Sequence, residues 1–555
     1  MLTLVHTRIR TLVTTGALAS VLAGAVTAQP PAGGAAPRLP PAPADVPSLV
    51  VFITVDQLRP DYLERFGAQL TGGLARLTRG GAVFTNAFQD HATTETAPGH
   101  ASTMSGRFPR STGIVRNTAG VNDPQGTLLE AFGPGASPFR FRGSTLTDWL
   151  RAKDPRSRAL SVSRKDRGAI LPIGRSPEEV YWYASNGTFT TSVWYHDTLP
   201  SWVRRFNDRK LPQSYAGRAW TPLLPDSAYA EADAVAAEDA GRGGVFPHTM
   251  PTRPDSAAAF FGEFPWMDEV TLALAMQGLR EMQLGAGPQT DVLAISLSTT
   301  DAIGHRYGPD SKELHDQVLR LDRMLGTFFD SLFAVRNPAR VVVALTADHG
   351  VSPYPDVRAA RGEGRAVRVQ VPALLGTFRR TLAERGVDSS AFSFDDFVLF
   401  VNRPAFARAK VPADSVITAF AAHARATPGV LRVDAVRSLA GQDTVRDAIA
   451  RRWYHSLPPD LGAELTVTLQ PYAAWDYAPN IVSFAEHGSP HDYDAHVPVI
   501  FYGRPFKAGR YADFVRVVDM APTLAWTTAT EPTERLDGRI LWQALAPDGV
   551  GPGTR

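Results

Sequence analysis

Two kinds of run alternate along this chain. Short stretches at 50–55, 292–297, 341–347 and 497–502 are almost wholly apolar and rich in β-branched residues, with a weaker strand pattern at 158–163. Such runs suit strands covered on both faces, as in a parallel sheet, better than half-exposed hairpins. Between them, apolar residues recur at three- and four-residue spacing near 63–79, 144–152, 266–284 and 312–333, which predicts helices. Strands alternating with helices predict an α/β fold with a mostly parallel central sheet.

Where the strands stop, the composition changes abruptly. The first runs into Asp56, the second leads to Asp301 with His305 four residues on, and the third ends in Asp348-His349-Gly350. Ligands collect outside the carboxyl ends of parallel strands, so three such ends bring Asp and His together from distant parts of the sequence. Asp301 and His305, at i and i+4, share one face of a helix and can share an ion. With His487 the set supplies three carboxylates and three imidazoles, which suits two Zn²⁺ ions in oxygen and nitrogen coordination and also tolerates Mn²⁺ or Co²⁺.

The remaining composition mostly narrows the class. At 555 residues, 44% hydrophobic, 20% charged and a net charge of +2, the chain has room for a large core and no electrostatic footprint for nucleic acid. Arg8 and Arg10 precede an uncharged stretch ending in Val26-Thr27-Ala28, which predicts a signal peptide over 1–28 and a periplasmic or extracellular protein of a bacterial kind. No later run is long and apolar enough for a span, so no membrane association is expected of the mature form. Cysteine is absent, so no disulfide framework accompanies export. The Pro/Ala-rich segment 29–47 reads as a linker, 48–545 as one catalytic domain with insertions at about 182–265 and 355–479, and 546–555 as a tail. The first insertion is expected to shape the pocket mouth. The second, with strands near 398–402 and 430–433 around a helix at 413–426, reads as a small β-α-β element without chemistry.

A second constellation is Thr93-Thr94-Glu95-Thr96-Ala97-Pro98-Gly99-His100. Pro98 suits the first turn of a helix, whose unpaired N–H groups and positive dipole end would lie at Thr96. A threonine alcohol is a poor nucleophile, but coordination to a divalent cation lowers its pKa and makes it one. Thr93 and Thr94 are rival hydroxyls by spacing alone.

Taken together, strand-Asp56, Thr96-Ala97-Pro98-Gly99-His100, Asn117, Lys165-Asp166-Arg167, Asp301 to His305, Asp348-His349-Gly350 and His487-Gly488 resemble the alkaline phosphatase superfamily. They are most similar to its PafA-type, threonine-nucleophile members, close to the type I phosphodiesterase/nucleotide pyrophosphatase branch. The resemblance extends from about 48 to 538. It implies a three-layer α/β/α sandwich with inserted subdomains. It also implies one zinc on Asp301, His305 and His487, and a second on Asp56, Asp348, His349 and the Thr96 oxygen. His487 is preferred to His491 and His496 because a glycine follows it.

The resemblance further implies a secreted zinc-dependent phosphomonoesterase acting on small-molecule phosphate esters through a phosphothreonine. Asn117 and the backbone N–H after Thr96 would donate to equatorial phosphate oxygens. Lys165 and Arg167 would favour a monoester dianion over a diester, because the dianion exposes more charge to two extra cations. The alternative is a phosphodiesterase or nucleotide pyrophosphatase using the same metals. A catalytically silent metal- or phosphate-binding protein is the remote alternative. A sulfatase is disfavoured, since no cysteine and no Cys/Ser-x-Pro-x-Arg segment is present.

Overall fold

The computed structural model describes residues 45–546, apart from 236–237, 239–243, 396 and 478–484. The expected signal peptide and nearly all of the expected linker and tail lie outside the described residues.

The central sheet has nine strands: β1 (Leu49–Val55), β2 (Ala82–Phe84), β3 (Ala159–Ser163), β4 (Glu179–Ala184), β5 (Thr188–Thr190), β6 (Asp291–Leu297), β7 (Val341–Thr346), β8 (Val499–Tyr502) and β9 (Gly509–Tyr511). Their spatial order is β9-β2-β8-β7-β1-β6-β3-β4-β5. The run β7-β1-β6-β3-β4 is parallel throughout, while β8 and the edge strand β5 run antiparallel to their neighbours. The fold is therefore α/β with a large, mixed and mainly parallel sheet. Every residue of β1, β6 and β7 is buried, which is why their sequences read as unbroken apolar runs. Each fully buried Val, Leu, Ile or Phe contributes about 1.5–3 kcal/mol.

The registers align the strand ends. Thr54 of β1 pairs with Ser296 of β6 and Thr346 of β7, so Asp56, the start of the 299–307 helix and Asp348 emerge at one rim. Five helices supply or support the groups near this rim: α1 (Thr96–Thr103), α2 (Asp166–Ile173), α3 (Trp266–Glu281), α4 (Thr299–Tyr307) and α5 (Lys312–Val335). The expected helix near 63–79 is instead two, Pro60–Arg65 and Gly73–Gly80. The interruption lies where Gly72 and Gly73 press against α5; a Cβ on Gly73 would come within 2.3 Å of Leu325 Cβ. The buried Asp322 carboxylate of α5 takes the free backbone N–H groups of Thr71, Gly72 and Ala75 at 2.7, 2.6 and 3.0 Å.

Both expected insertions differ in detail from their reading. The 182–265 stretch begins inside β4, so its first residues belong to the central sheet. The later one holds a four-stranded antiparallel sheet, ordered Phe392–Asp395, Val398–Val401, Ala463–Leu469 and Val430–Ala435, with the helix Ala413–Ala426 against it. It has its own core around Phe392, Leu399, Phe420 and Val467. Two of its strands lie outside the β-α-β pattern, because Phe392–Asp395 and Ala463–Leu469 are supplied from either side of it.

Candidate active site

Asp56, the residue after β1, is wholly buried, and Asp348 and His349 lie equally deep just past β7. Asp301 stands in the first turn of α4 and His305 in its last, where the helix places Asp301 Oδ1 3.2 Å from His305 Nε2. His487 reaches the same place from far along the chain, with its Nε2 at 3.2 Å from His305 Nε2 and 3.8 Å from Asp301 Oδ1. Its ring stacks on that of His349 with centroids 3.6 Å apart. The other two histidines considered face elsewhere: His491 Nε2 meets the Leu469 carbonyl and His496 Nε2 the Thr85 carbonyl.

Each of the three clustered imidazoles is oriented from behind. His305 Nδ1 donates to the Ala485 carbonyl at 2.7 Å, His487 Nδ1 to Thr94 O at 2.8 Å, and His349 Nδ1 to Gly350 O at 2.9 Å. Carbonyls only accept, so the neutral form of each ring presents a bare Nε2 lone pair inward. Two such lone pairs facing each other at 3.2 Å need a cation or a proton between them. Deeper in, His349 Nε2 and Asp56 Oδ1 make no hydrogen bond and lie 3.4 Å apart. Backbone carbonyls locking the far nitrogen and buried ligand atoms without partners are the arrangement a divalent ion requires. Two groups of donor atoms gather within 4.8 Å, namely Asp301, His305 and His487, and Asp56, Asp301 and His349. Asp301 is common to both. Asp348 lies outside these groups, with Oδ2 3.7 Å from His349 Nε2.

Charge is distributed accordingly. Burial, with Asp301 and Asp348 close by, pushes the Asp56 carboxyl above its ordinary range. Burial acts the same way on Asp301, but Lys165 and His305 override it and hold that carboxyl well below the usual value. Burial disfavours a charged His305 too, yet Asp301 raises it to about 9. His349 is lowered to about 4 by burial, and His487 well below its ordinary value by burial and its two imidazole neighbours.

Thr96 opens α1, with Glu95 as the N-cap, so its buried hydroxyl lies at the positive end of that helix. Lys165 Nζ donates to Thr96 Oγ1 at 3.3 Å while contacting Asp56 Oδ2 at 2.5 Å and Asp301 Oδ2 at 2.7 Å. The lysine thus sits among the carboxylates. Arg167 does not join it; its ion pair is with its neighbour Asp166, at 3.6 Å. The rival hydroxyl of Thr94 is engaged elsewhere, donating to Ser489 O and accepting from Gly488 N. Asn117 does lie beside Thr96, but not as expected. The Ala97 N–H donates to Asn117 Oδ1 at 2.8 Å, so that backbone group is occupied and the Asn117 Nδ2 donor is turned the other way.

Three further residues position the site: Gln57 and Glu95, which carried no sequence signal beyond adjacency, and His100, which belongs to the Thr96–His100 motif but takes no role from the sequence alone. Gln57, in a left-handed conformation with φ of 65°, donates its backbone N–H to Asp348 Oδ1 and its side-chain amide to Asp301 Oδ1, both at 3.1 Å. Glu95 accepts the Asn117 backbone N–H at 2.6 Å, which closes a clamp around Thr96 from its two flanking residues. His100 ties the Thr96 carbonyl, Asp348 and Ser296 together at 2.9, 3.1 and 2.9 Å.

A cavity of about 400 Å³ opens outward from His305, His487, Asn117 and Glu95. Among the described residues, its far wall comes from the second insertion and the segments flanking it, including Tyr354, Phe397, Tyr472 and Trp475, and none of it from 182–265. The expected source of the mouth is thereby corrected. The hairpin at 392–401 brings its tip residue Phe397 beside Gly488, a long-range placement that periodicity does not encode.

Known proteins are similar to this chain in sequence and in fold. Residues 50–368 match the model of the type I phosphodiesterase/nucleotide pyrophosphatase family. The alkaline phosphatase PhoV of Synechococcus elongatus is 30% identical over 556 residues, covering 95% of this chain and 98% of that protein. The alkaline phosphatase PafA of Elizabethkingia meningoseptica is 28% identical over 522 residues, covering 86% of this chain and 91% of its own. A crystal structure of wild-type alkaline phosphatase PafA superposes with a TM-score of 0.80 at 26% identity, over 90% of this chain and 99% of the other.

Proposed function

Because this chain belongs to the type I phosphodiesterase/nucleotide pyrophosphatase family, we propose that it is a hydrolase of phosphate monoesters, an alkaline phosphatase that uses Thr96 as its nucleophile. The observation that carries this reading is the Thr96 hydroxyl at the start of α1, 3.3 Å from an ammonium that also contacts Asp56 and Asp301. The names of the relatives, alkaline phosphatases aligned over most of both chains, support the monoester class.

The donor set supports two divalent ions, which we assign as Zn²⁺. Asp301, His305 and His487 would hold one, and Asp56, His349, the Thr96 oxygen and Asp348, which lies 3.7 Å from the His349 ring nitrogen, the other. When bound, such ions supply Lewis acidity to the attacking and departing oxygens. The chain's own residues do the rest. Lys165 and the dipole of α1 favour the deprotonated form of Thr96. The Thr96 oxygen attacks phosphorus, the bond to the alcohol breaks, and a phosphothreonine remains. Water then attacks phosphorus, the bond to the Thr96 oxygen breaks, and inorganic phosphate leaves with the threonine restored. Asn117 Nδ2, freed because Oδ1 is held by the Ala97 N–H, donates to a non-bridging oxygen. Lys165 supplies positive charge for the dianion, and Arg167, paired with Asp166 here, would add to it on turning inward.

Among the described residues no helix is long and apolar enough to cross a membrane. We read residues 1–28 as a signal peptide, residues 48–545 as one catalytic domain, and the enzyme as periplasmic or extracellular.

Hydrolysis of a phosphodiester by the same site is the second reading, favoured by the family whose model matches. The two separate when kcat/KM is measured for an aryl phosphate and for its methyl diester. A preference for the diester, or monoester turnover unaffected by the double change Lys165→Ala and Arg167→Ala, overturns the monoester assignment.

A further inference from the structure

The cavity above the candidate site is bounded on its outer side by aromatic rings, and these are not equivalent. Tyr472 is covered by the Arg358 guanidinium at 3.5 Å and stacks on Tyr493 at 4.7 Å, and Tyr354 has Arg368 over its ring at 4.1 Å. The rings of Phe397 and Trp475 meet each other at 5.8 Å and 69°, forming a corner in which one presents an edge to the other, and each also packs on a further ring, Phe397 on Trp453 and Trp475 on Phe394.

Phe397 stands there at a conformational cost. It occupies the tip of the hairpin between Phe392–Asp395 and Val398–Val401 with φ of 68°. That region suits glycine or asparagine, and the ring is held in it by packing against Trp453 and Trp475, which fixes it at the cavity wall. The ring is half-buried and reaches the candidate site: its Cε2 lies 3.7 Å from where a Cβ on Gly488 would be, and Glu95 Cγ lies 3.8 Å from that same point. Gly488 follows His487, and Glu95 precedes Thr96. The indole N–H of Trp475 is buried and donates to nothing among the described residues, an unmet donor on a residue of the cavity wall.

We propose that Phe397 and Trp475 form a binding corner for the leaving group, so that the enzyme prefers phosphate monoesters whose alcohol carries a planar ring. The inference rests on the monoesterase reading above. A cavity of about 400 Å³ accommodates a phosphoryl group and one such ring. Stacking on Phe397, with Trp475 at the ring's edge, is the contact a planar group makes and an aliphatic one does not.

The test uses full-length, zinc-loaded enzyme and two primary alkyl esters, phenethyl phosphate and ethyl phosphate, whose departing oxygens are alike. The wild type is expected to show a ratio of kcat/KM of at least tenfold in favour of the ring. Phe397→Leu, which keeps apolar bulk, should lower that ratio about tenfold, and Phe397→Tyr should retain it. Calorimetric binding of phenethylphosphonate and ethylphosphonate, which are not hydrolysed, should show the same preference and the same loss. Equal ratios for wild type and Phe397→Leu, or no preference in the wild type by either readout, overturn the proposal. If neither ester is turned over but the phosphonates keep their Phe397-dependent preference, the monoesterase reading fails and the aryl corner stands.

Discussion

Gln57 fastens two carboxylates from different strand ends, one through its backbone and one through its amide, while holding a left-handed backbone conformation. Partners of this kind set ligand orientation, and their loss typically weakens metal binding by about 10–100-fold. Gln57→Ala is expected to show that loss in chelator competition while remaining folded by circular dichroism. Glu95 acts on the other side, through the Asn117 backbone. A hydrogen bond to a charged acceptor contributes about 1.5–3 kcal/mol, so Glu95→Ala should lower kcat/KM by roughly 10–100-fold. Glu95→Gln, which keeps an acceptor oxygen, should recover most of it. Neither residue was legible beforehand, because an amide or a carboxylate beside a candidate ligand has no periodicity to distinguish it from a capping group. His91 tests burial alone. Desolvation lowers it to about 3, with Asp90 offsetting only part. The unfolded chain takes up that proton near pH 6.5 and the folded one does not, so this contribution is complete above pH 6.5 and lost as pH falls toward 3. It amounts to about 5 kcal/mol at most, from roughly 1.4 kcal/mol per pH unit. In urea titrations over that window, His91→Leu should flatten the acid limb of stability.

At the scale of elements, the approach of α1 to the end of β7 decides whether Thr96 meets its neighbours. Gly99 makes that approach possible: a Cβ there would lie 2.2 Å from the Asp348 carbonyl oxygen and 2.7 Å from Asp348 Cβ. Gly99→Ala must push the helix away, which costs about 1–3 kcal/mol by overpacking. Its activity should fall far more than its stability, and full activity in a folded Gly99→Ala protein would show that the contact is dispensable. Asp322 fixes a different junction, taking three backbone N–H groups at the start of Gly73–Gly80. Asp322→Ala strands those donors in a buried place and should cost about 3 kcal/mol or more in urea unfolding. The strands of the parallel core were readable because burial on both faces leaves no polar position to blur the pattern, and the ligand residues lie within a few positions of strand ends. Of the hairpin carrying Phe397 only the strand near 398–402 was, since its partner Phe392–Asp395 is short and its other neighbour, Ala463–Leu469, lies far along the chain. Arg167 shows the opposite failure: the Lys-Asp-Arg motif is legible, but its arginine pairs with Asp166, next to it in sequence.

For the molecule as a whole, the sheet gathers three carboxylates and three imidazoles whose charges and lone pairs are mutually unfavourable without cations. Removing metal with a chelator should therefore lower the melting temperature, and adding Zn²⁺ should restore it, by the linkage of ion binding to folding. A melting temperature indifferent to chelator would mean the cluster is balanced by its own protons. The clamp at Asn117 and the positioning of Asp301 by Gln57 matter to catalysis only if the hydroxyl at the head of α1 is the atom that attacks. Acid quenching of the enzyme during turnover of a phosphate monoester, followed by peptide mass spectrometry, reads this directly. The account predicts a phosphoryl group on Thr96 that is absent in Thr96→Ala; a phosphoryl group on Thr93 or Thr94, or undiminished turnover by Thr96→Ala, would contradict it.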